Sequence, residues 1–232
     1  MTSRKTTPSI VAEDSTQTAY QGLRHMLYKK ELVPGQKIVC RDLAEKLGLS
    51  ATPIIRALKW LELQGFVRHE TNRGYVMAPF SLQEIEELYE LRELIEPSLV
   101  PAVIERIDRE GLSRLKAAHD AHLAAERDFY LQERLFKNRD FHMTLATLSG
   151  KTTQIRILEN IFDVLFLKYG GNYFPISSLS ATDQAHQEIY DALAVRSLER
   201  AQSVLKNHLT NVKIQVMTGI TKVLAEQERA GF

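Results

Sequence analysis

Apolar residues recur every three or four positions over most of this chain, which predicts a mainly α-helical protein. In the front part the pattern predicts helices over 16–31, 41–47 and 50–64, with Ser50 as the N-cap of the third. Gly48 allows a tight turn between the last two. Short apolar stretches over 66–70 and 75–78 then predict a β-hairpin. This order of elements is typical of a winged helix-turn-helix.

The helical pattern continues behind this region without persistent strand alternation, so the back part is predicted to be an antiparallel all-α helical bundle. Ser81 and Glu84 form a capping box at its start. Pro97 and Pro101 are expected to kink or interrupt its first helix. The predicted bundle helices are 82–108, 111–128, 130–149, 152–170, 182–195 and 197–228.

These patterns predict three parts: a disordered N-terminal tail over 1–15, a winged helix-turn-helix domain over 16–79 and a helical ligand-binding and dimerisation domain over 80–228. No apolar run reaches the length of a membrane span, and the N-terminus lacks the apolar region of a secretory signal. A single cysteine, Cys40, excludes an internal disulfide framework and is typical of a reducing compartment. We therefore expect a cytoplasmic protein, associated with the nucleoid when it binds DNA.

The charge is unevenly distributed. Residues 1–80 carry twelve Lys and Arg against seven Asp and Glu, whereas the remainder is net acidic. A basic front part favours a polyanionic partner such as double-stranded DNA. The candidate DNA-contacting residues lie on the second and third helices and in the wing: Arg41, Ser50, Thr52, Arg56, Lys59, Arg73 and Gly74. The alternative is a structural helical domain with a solvated basic face.

Histidines carry the chemistry of the back part. Asn138 and His142 are spaced i, i+4 and share one helix face. If the last two helices are antiparallel and joined near residue 196, His186 and His208 lie at similar heights. This spacing would let three imidazoles and one side-chain oxygen converge inside the bundle, as a divalent metal site requires. The alternative is that these are satisfied core or surface groups. His119 and His122 fit no such set and are expected at the surface.

The front region resembles the DNA-binding domain of the GntR family of bacterial transcription regulators. The matching residues are Pro34-Gly35, Asp42-Leu43-Ala44, Leu47-Gly48-Leu49-Ser50, Thr52-Pro53, Ala57-Leu58, Leu61, Gly65, Val67, Arg73-Gly74 and Val76. Two arginines that read bases in the family align with Ala51 and Ile55, whereas Arg41 is retained. Arg56 follows one residue late, about 100° around the helix, and does not replace the missing arginine.

Residues 82–215 resemble the FadR-type C-terminal domain (FCD) that accompanies many GntR regulators. The matching pieces are Leu91 to Glu96, Phe141-His142, His186 to Ile189, Ala192-Leu193, Ala201 and His208-Leu209. The resemblance implies a metal bound by His142, His186, His208 and an Asp one turn before the first, a position that is Asn138 here. An amide oxygen is a weaker, neutral ligand. Zinc is the first choice of metal, with nickel or manganese as alternatives.

The resemblance also implies a small carboxylate effector beside the metal. Arg92 is the candidate clamp for it, because a guanidinium binds carboxylates through two donors. An ordinary i, i+4 ion pair with Glu96 is the alternative role. The leading hypothesis is a homodimeric, effector-controlled transcription regulator, a repressor, rather than an enzyme. The alternatives are a regulator whose metal site is empty because of Asn138, and a metal-dependent hydrolase.

Overall fold

The computed structural model of the protein describes residues 10–125, 131–170 and 179–229. The chain divides into two compact units, with the boundary between Phe80 and Ser81. Among the described residues, no helix is long and apolar enough to cross a membrane.

The described part of the front unit consists of helices followed by a hairpin. Its elements are α1 (Ile10–Tyr28), α2 (Cys40–Leu47), α3 (Ala51–Leu63), β1 (Val67–Glu70) and β2 (Gly74–Met77). The strands are antiparallel, with Val67 opposite Met77 and Glu70 opposite Gly74. Gly48 has a φ of 64°, the left-handed conformation that the turn between α2 and α3 requires. The predicted winged helix-turn-helix is confirmed.

One apolar stripe of each long helix forms the core of this unit. Because residues four apart share a helix face, α1 and α3 bury matching stripes against each other, and α3 also packs against β1. The largest fully buried side chains are Leu23, Leu27, Ile54, Leu58, Leu61, Phe66 and Met77. The opposite face of α3 is exposed, and it carries three of the candidate DNA-contacting residues.

Two details of the front unit differ from the sequence prediction. Helix α1 begins at Ile10, inside the stretch predicted as a tail, while residues 1–9 lie outside the described residues. Ser50 has the extended backbone of an N-cap, but its side chain makes no capping hydrogen bond. Its hydroxyl is instead exposed at the start of α3.

The described part of the back unit is a helical bundle. Its elements are α4 (Leu82–Arg106), α5 (Arg109–Ala124), α6 (Leu131–Leu148), α7 (Thr152–Asp163), a π-helical segment (Val164–Lys168), α8 (Leu179–Ala194) and α9 (Leu198–Arg229). The predicted helix over 152–170 is therefore α-helical only to Asp163. Of the predicted helix over 111–128, residues 126–128 lie outside the described residues.

Helix starts in the bundle follow local capping rules. Ser81 Oγ accepts a hydrogen bond from Glu84 N (3.1 Å), as the capping box predicts. Asp108 Oδ1 accepts one from Gly111 N (2.7 Å) at the start of α5. These caps determine where α4 and α5 begin, and so which residues face the interior.

Of the two expectations for Pro97 and Pro101, an interruption of the first bundle helix is wrong, since α4 runs unbroken through both, and a kink stays a prediction. Pro101 lacks the N–H that would bond the carbonyl of Pro97, four residues earlier. Gln202 on α9 donates to that carbonyl at 3.1 Å. A neighbouring helix thus satisfies the acceptor that proline leaves open.

The bundle core is apolar at the end where α4, α5, α6, α8 and α9 meet. Its buried residues are Val100, Val103, Ile107, Leu115, Phe141, Leu145, Ile189, Ala192, Leu193, Ala201, Leu205 and Leu209. Beside this cluster, polar side chains replace apolar ones in the interior, and among them are Arg92, Glu96, His142, His186 and His208. An interior that changes from apolar to polar within a few turns is the bundle's most distinctive feature.

Candidate functional site

The exposed face of α3 carries three of the seven predicted DNA-contacting residues. Thr52, Arg56 and Lys59 are all exposed there, and Arg41 on α2 is exposed as well. Ala51 and Ile55 occupy the same face, and Ile55 is 39% exposed. The structure therefore places two apolar side chains among polar and basic ones on the surface of the recognition helix.

The wing carries Arg73 and Gly74 at its tip. Arg73 Nη1 donates to Glu70 Oε2 at 2.9 Å, and Arg68 Nη2 lies 2.6 Å from the other oxygen of Glu70. Gly74 has a φ of 78° and Asn72 a φ of 66°, so the turn needs residues that tolerate the left-handed region. Exposed ion pairs of this kind contribute little, so either arginine can leave Glu70 for a phosphate.

In the bundle, His142, His186 and His208 converge from three helices. They lie on α6, α8 and α9, all three are buried, and their ligand nitrogens lie within 4.8 Å of one another. The ring centroids are 5.2 Å apart for His142 and His186, 5.3 Å for His142 and His208, and 4.9 Å for His186 and His208. The short connection after α8 brings His186 and His208 together, as the sequence predicted.

His142 is oriented by a carboxylate that the sequence analysis had paired only with Arg92. Its Nδ1 lies 2.6 Å from Glu96 Oε2, and Arg92 Nε donates to Glu96 Oε1 at 2.7 Å. The ion pair of Arg92 with Glu96 is therefore present and buried. Arg92 also has its guanidinium carbon 4.4 Å from the centroid of the Phe162 ring. Its Nη2 is buried without a hydrogen-bond partner.

The protonation states at this site suit a metal. Burial, followed by the neighbouring imidazoles, lowers the pKa of His186 and His208 well below the usual value. Burial also lowers the pKa of His142, against the opposing effect of Glu96. Burial alone would raise the pKa of Glu96, but Arg92 and His142 outweigh it and lower that pKa to about 2. Neutral imidazoles beside an ionised carboxylate are what metal ligation needs.

Two observations show that the three histidines fit a metal ion. Both ring nitrogens of His186 are buried without a hydrogen-bond partner, which is costly unless a ligand satisfies one of them. His142 Nε2 and His208 Nε2 face each other at 3.3 Å. Two nitrogens bound to a tetrahedral zinc at 2.0–2.1 Å lie about 3.3 Å apart. The separation in the protein is therefore that of two imidazole ligands of one ion.

The predicted fourth ligand, Asn138, lies one turn before His142 on α6 and is half-buried. Its role as a ligand stays a prediction. Asp140, the nearest carboxylate in sequence, lies 3.9 Å from Lys137 and 3.8 Å from Arg139. It thus pairs with basic side chains on its own helix, and residues two apart on a helix, such as Asp140 and His142, do not face the same side.

The prediction that His119 and His122 lie at the surface is wrong, because they are only 1% and 2% exposed. Helix α5 packs against α6 and α8 and turns both rings inwards, with centroids 6.3 Å and 4.9 Å from that of His186. A signal was present in the sequence. Gly111, Leu115, His119 and His122 follow helical spacing and form the buried stripe of α5.

Four other polar side chains, on α4, on α7 and just after the π-helical segment, differ in their surroundings. Tyr89 is buried beside Arg92, with its ring centroid 5.2 Å from the guanidinium carbon. Asn160 Oδ1 is buried without a hydrogen-bond partner, whereas Arg156 is exposed. The Tyr169 hydroxyl donates to Glu84, which also accepts from Lys168 Nζ at 2.6 Å. Tyr89, Asn160 and Tyr169 therefore carry polar groups in the interior, and the Tyr169 hydroxyl is already bonded to Glu84.

A cleft of about 230 Å³ between α8 and α9 reaches the buried centre at His208. Its polar lining is mostly neutral. The lining residues are Ala181, Gln184, Ala185, Glu188, Val204, Asn207, His208 and Asn211. No Lys or Arg is among them, so the cleft does not by itself attract anions.

Two family models match the chain. Residues 15–77 match that of the bacterial regulatory proteins of the gntR family, and residues 87–211 match that of the FCD domain. The second match alone covers more than half of the chain, and it contains Arg92, Glu96 and all five buried histidines of the bundle.

Proteins similar over most of this chain are transcription regulators. The HTH-type transcriptional regulator YdhC of Bacillus subtilis (strain 168) is 24% identical over 197 residues, which cover 83% of this chain and 86% of that protein. The HTH-type transcriptional repressor GlaR of Escherichia coli (strain K12) is 23% identical over 200 residues, 82% of this chain and 90% of that protein. A GntR regulator from Rhodococcus sp. RHA1 has a similar fold, with a TM-score of 0.73, 23% identity and coverage of 88% and 98%.

Proposed function

We propose that this chain, which belongs to the gntR family of bacterial regulatory proteins and is a DNA-binding transcription regulator with an FCD domain, acts as a repressor controlled by a small carboxylate effector. The effector would bind beside a divalent metal held by His142, His186 and His208. The DNA-binding domain would be 16–79 and the effector-binding and dimerisation domain 80–228. The protein would act in the bacterial cytoplasm, as a homodimer on operator DNA, and not as an enzyme.

The observation that carries this proposal is the pairing of a three-histidine cluster with a buried, incompletely bonded guanidinium. Arg92 Nε is bonded to Glu96, but its Nη2 has no hydrogen-bond partner. A buried charged donor without a partner is unfavourable, and a ligand oxygen would remove that cost. A carboxylate can accept from Nη2 with one oxygen and approach the metal with the other.

The charge of the centre also favours an anionic effector. Arg92 and Glu96 cancel each other, and the three imidazoles are neutral, so a divalent ion would leave two positive charges in a buried site. Asn138, in the place of a carboxylate, does not reduce that charge. An acid that binds in its anionic form does reduce the positive charge of the centre. We therefore infer an organic or sugar acid rather than a neutral effector.

Zinc is the metal we infer first, because three imidazoles in a small tetrahedral arrangement suit it. Nickel is the next candidate on ligand type, and manganese would need more oxygen ligands than the described residues supply. Asn138 is proposed as a weak fourth ligand or as a neighbour of the water or effector that fills that position.

The operator is proposed to be a short palindrome read by two copies of α3 in adjacent major grooves. Ser50, Thr52, Arg41, Lys59 and Arg73 are proposed to position the duplex through phosphates, with Arg56 available for a base edge. Gly74 lets the wing backbone approach the duplex closely.

Ala51 and Ile55 would meet the groove with apolar groups, and the base-edge group that such side chains recognise is the thymine methyl. We therefore infer thymines in the operator at the positions they face. Replacing those thymines by deoxyuridine removes only the methyl, and it should weaken binding about fourfold per site, from about 0.8 kcal/mol per buried carbon. Equal affinity for the two DNAs would remove this inference.

The test of the function is a gel shift with the DNA upstream of the protein's own gene. A specific shift is expected, and one acid from a panel of small organic and sugar acids should release it in the presence of zinc. Arg92→Lys keeps a positive charge beside Glu96 but loses the second donor arm. It should raise the acid concentration needed by about tenfold or more, the value of one charge-assisted hydrogen bond. The absence of a specific shift under every condition would contradict the proposal.

A regulator with an empty metal site is the second candidate, and Asn138 is the observation that favours it. In that case zinc would neither bind nor alter the release by acid. Elemental analysis of protein without a histidine tag distinguishes the two.

A further inference from the structure

The bundle contains a second buried triad, made of an arginine, a carboxylate and a histidine. Arg134 Nη2 donates to Asp183 Oδ1 at 2.5 Å, and His122 Nδ1 lies 3.2 Å from the same oxygen. The three side chains come from α6, α8 and α5, and all are buried. Arg134 Nη1 also donates to the carbonyl of His122 at 3.2 Å, so the arginine holds the backbone of His122 as well as its carboxylate neighbour.

This second triad repeats the arrangement of the three side chains that hold His142. There, Arg92 binds Glu96 at 2.7 Å and Glu96 binds His142 Nδ1 at 2.6 Å. In both triads an arginine fixes a carboxylate, and the carboxylate faces Nδ1 of a histidine. The histidine of the first triad is a proposed metal ligand. The histidine of the second triad is His122, which is not among the three proposed ligands.

His122 lies beside His186, the histidine whose ring nitrogens have no hydrogen-bond partner. Its ring centroid is 4.9 Å from that of His186, the same separation as between His186 and His208. Both nitrogens of His186 are buried without a hydrogen bond, and so is His122 Nδ1, because its contact with Asp183 is not aligned as a hydrogen bond. Phe141 stacks on His186 with centroids 4.0 Å apart and limits the planes the ring can adopt.

The neighbouring carboxylate can fix the tautomer of His122. A neutral imidazole has one donor and one acceptor nitrogen. His122 Nδ1 lies 3.2 Å from Asp183 Oδ1, so a small rotation of the ring would let an N–H on Nδ1 donate to that oxygen and would leave the lone pair on Nε2. One nitrogen of His186 could then donate to His122 while the other keeps its lone pair for a metal.

We propose that His122, held by Asp183 and Arg134, is the positioning residue for His186, as Glu96 is for His142. The proposal rests on the metal centre of the proposed function. It assigns to His122 the task of fixing which nitrogen of His186 carries the proton, and so which nitrogen faces the ion. Partners of this kind around metal-bound histidines typically account for 10–100-fold in metal affinity.

The test compares metal binding by His122→Phe and His119→Phe in the full chain. Each variant keeps an aromatic ring but removes a buried imidazole from α5, and the two sites lie one turn apart. Zinc affinity is measured by competition with a chelating dye, and the visible absorption of the cobalt-loaded protein reports the ligand set. His122→Phe should weaken zinc binding roughly 10–100-fold with an unchanged cobalt spectrum. His119, farther from His186, should change the affinity less than about threefold when replaced.

Asp183→Asn supplies a second variant, because it keeps the shape of the carboxylate but removes its charge. Its zinc affinity should fall in the same direction as that of His122→Phe. Melting of each metal-free variant shows whether the fold is intact, so a loss of affinity in a folded protein is assigned to the centre. An altered cobalt spectrum in His122→Phe would make His122 a ligand and overturn the positioning role.

Two further outcomes would also overturn the proposal. Wild-type zinc affinity in His122→Phe, or an equal loss in His119→Phe, would leave His122 without a specific role while the metal centre stands. If the unaltered chain takes up neither zinc nor cobalt, the metal centre and the role of His122 are both contradicted.

Discussion

The two units keep their functional side chains in opposite environments. On α3 and in the wing, Thr52, Arg56, Lys59 and Arg73 are exposed. In the bundle, the three histidines are buried together with Arg92 and Glu96, and Glu96 bonds both Arg92 and His142. The proposed DNA-contacting residues can therefore change without affecting folding, whereas the buried residues contribute to stability and, in the proposed function, to binding as well.

This difference predicts a separation of effects. Substitutions on the exposed face should change DNA affinity and leave the free energy of unfolding unaltered. Substitutions in the buried centre should change the free energy of unfolding, metal binding or both. Four experiments test this separation, and they are given in order of decreasing expected effect.

Glu96→Ala should have the largest effect on stability. It removes the carboxylate between Arg92 and His142 and leaves a buried guanidinium without its counter-charge. Breaking one side of a buried ion pair costs roughly 3–5 kcal/mol. Urea unfolding of the metal-free protein measures the loss. Glu90→Ala, an exposed carboxylate on the same helix, is the control and should cost less than about 0.5 kcal/mol.

His142→Ala should abolish tight zinc binding, with a loss larger than the roughly 100-fold upper range for outer partners of a ligand. It removes one of three ligands and the nitrogen that faces His208. His25→Ala, at an exposed position on α1, is the matched control and should bind zinc as before. Operator binding without effector should survive in both variants. A His142→Ala protein with unchanged zinc affinity would place the metal elsewhere.

Ala51→Arg with Ile55→Arg should raise affinity for a guanine-containing operator of the family type by about 1–3 kcal/mol for each bidentate contact formed. Both positions are exposed, so unfolding should not change. Fluorescence anisotropy with labelled DNA at one fixed salt concentration measures the gain. Leu63→Arg, at a position 87% exposed near the end of α3, controls for added charge alone. An equal gain in all variants would mean that our register for the recognition helix is wrong.

The metal-free protein should lose stability as pH falls below about 6.5, the unfolded-state pKa of histidine. His142, His186 and His208 have lowered pKa values, so the folded state binds fewer protons than the unfolded state, and unfolding is favoured by acid. Each such histidine contributes a slope of about 1.4 kcal/mol per pH unit below 6.5, until its folded pKa is reached.

His186→Phe should reduce that slope by one histidine's share, as measured by urea unfolding between pH 7.5 and 5.5 with a chelator present. Glu96, whose folded pKa is about 2, adds its own loss only below its unfolded value of 4.5, outside this window. A slope that is the same with and without His186 would contradict the assignment of a neutral, buried imidazole.

The two units also differ in how far the sequence alone predicts them. The front unit follows from local signals such as the breaker at Gly48 and the buried stripe Ile54, Leu58 and Leu61. Because these signals act between near neighbours, the elements and their order could be predicted. The missing hydrogen bond at Ser50 could not, since it depends on the rotamer of one side chain.

In the bundle, helical spacing together with a short connection was enough to bring His186 and His208 together with His142. The helical spacing of α5 carried a signal for the inward turn of His122, although the prediction placed that residue at the surface. The hydrogen bond between Glu96 and His142 depends instead on how α4 packs against α6. The same is true of Gln202, which compensates for Pro101 from another helix. Contacts between residues distant in sequence have no local signal, and they are what the structure adds.

The most direct test of the buried centre is the zinc content of the untagged protein, measured after chelation, zinc addition and buffer exchange. The account predicts about one zinc per chain in the unaltered protein, and loss of that zinc when His142, His186 and His208 are all replaced by Ala in a chain that still folds. Less than about 0.2 zinc per chain in the unaltered protein, or the same content in both proteins, would contradict it.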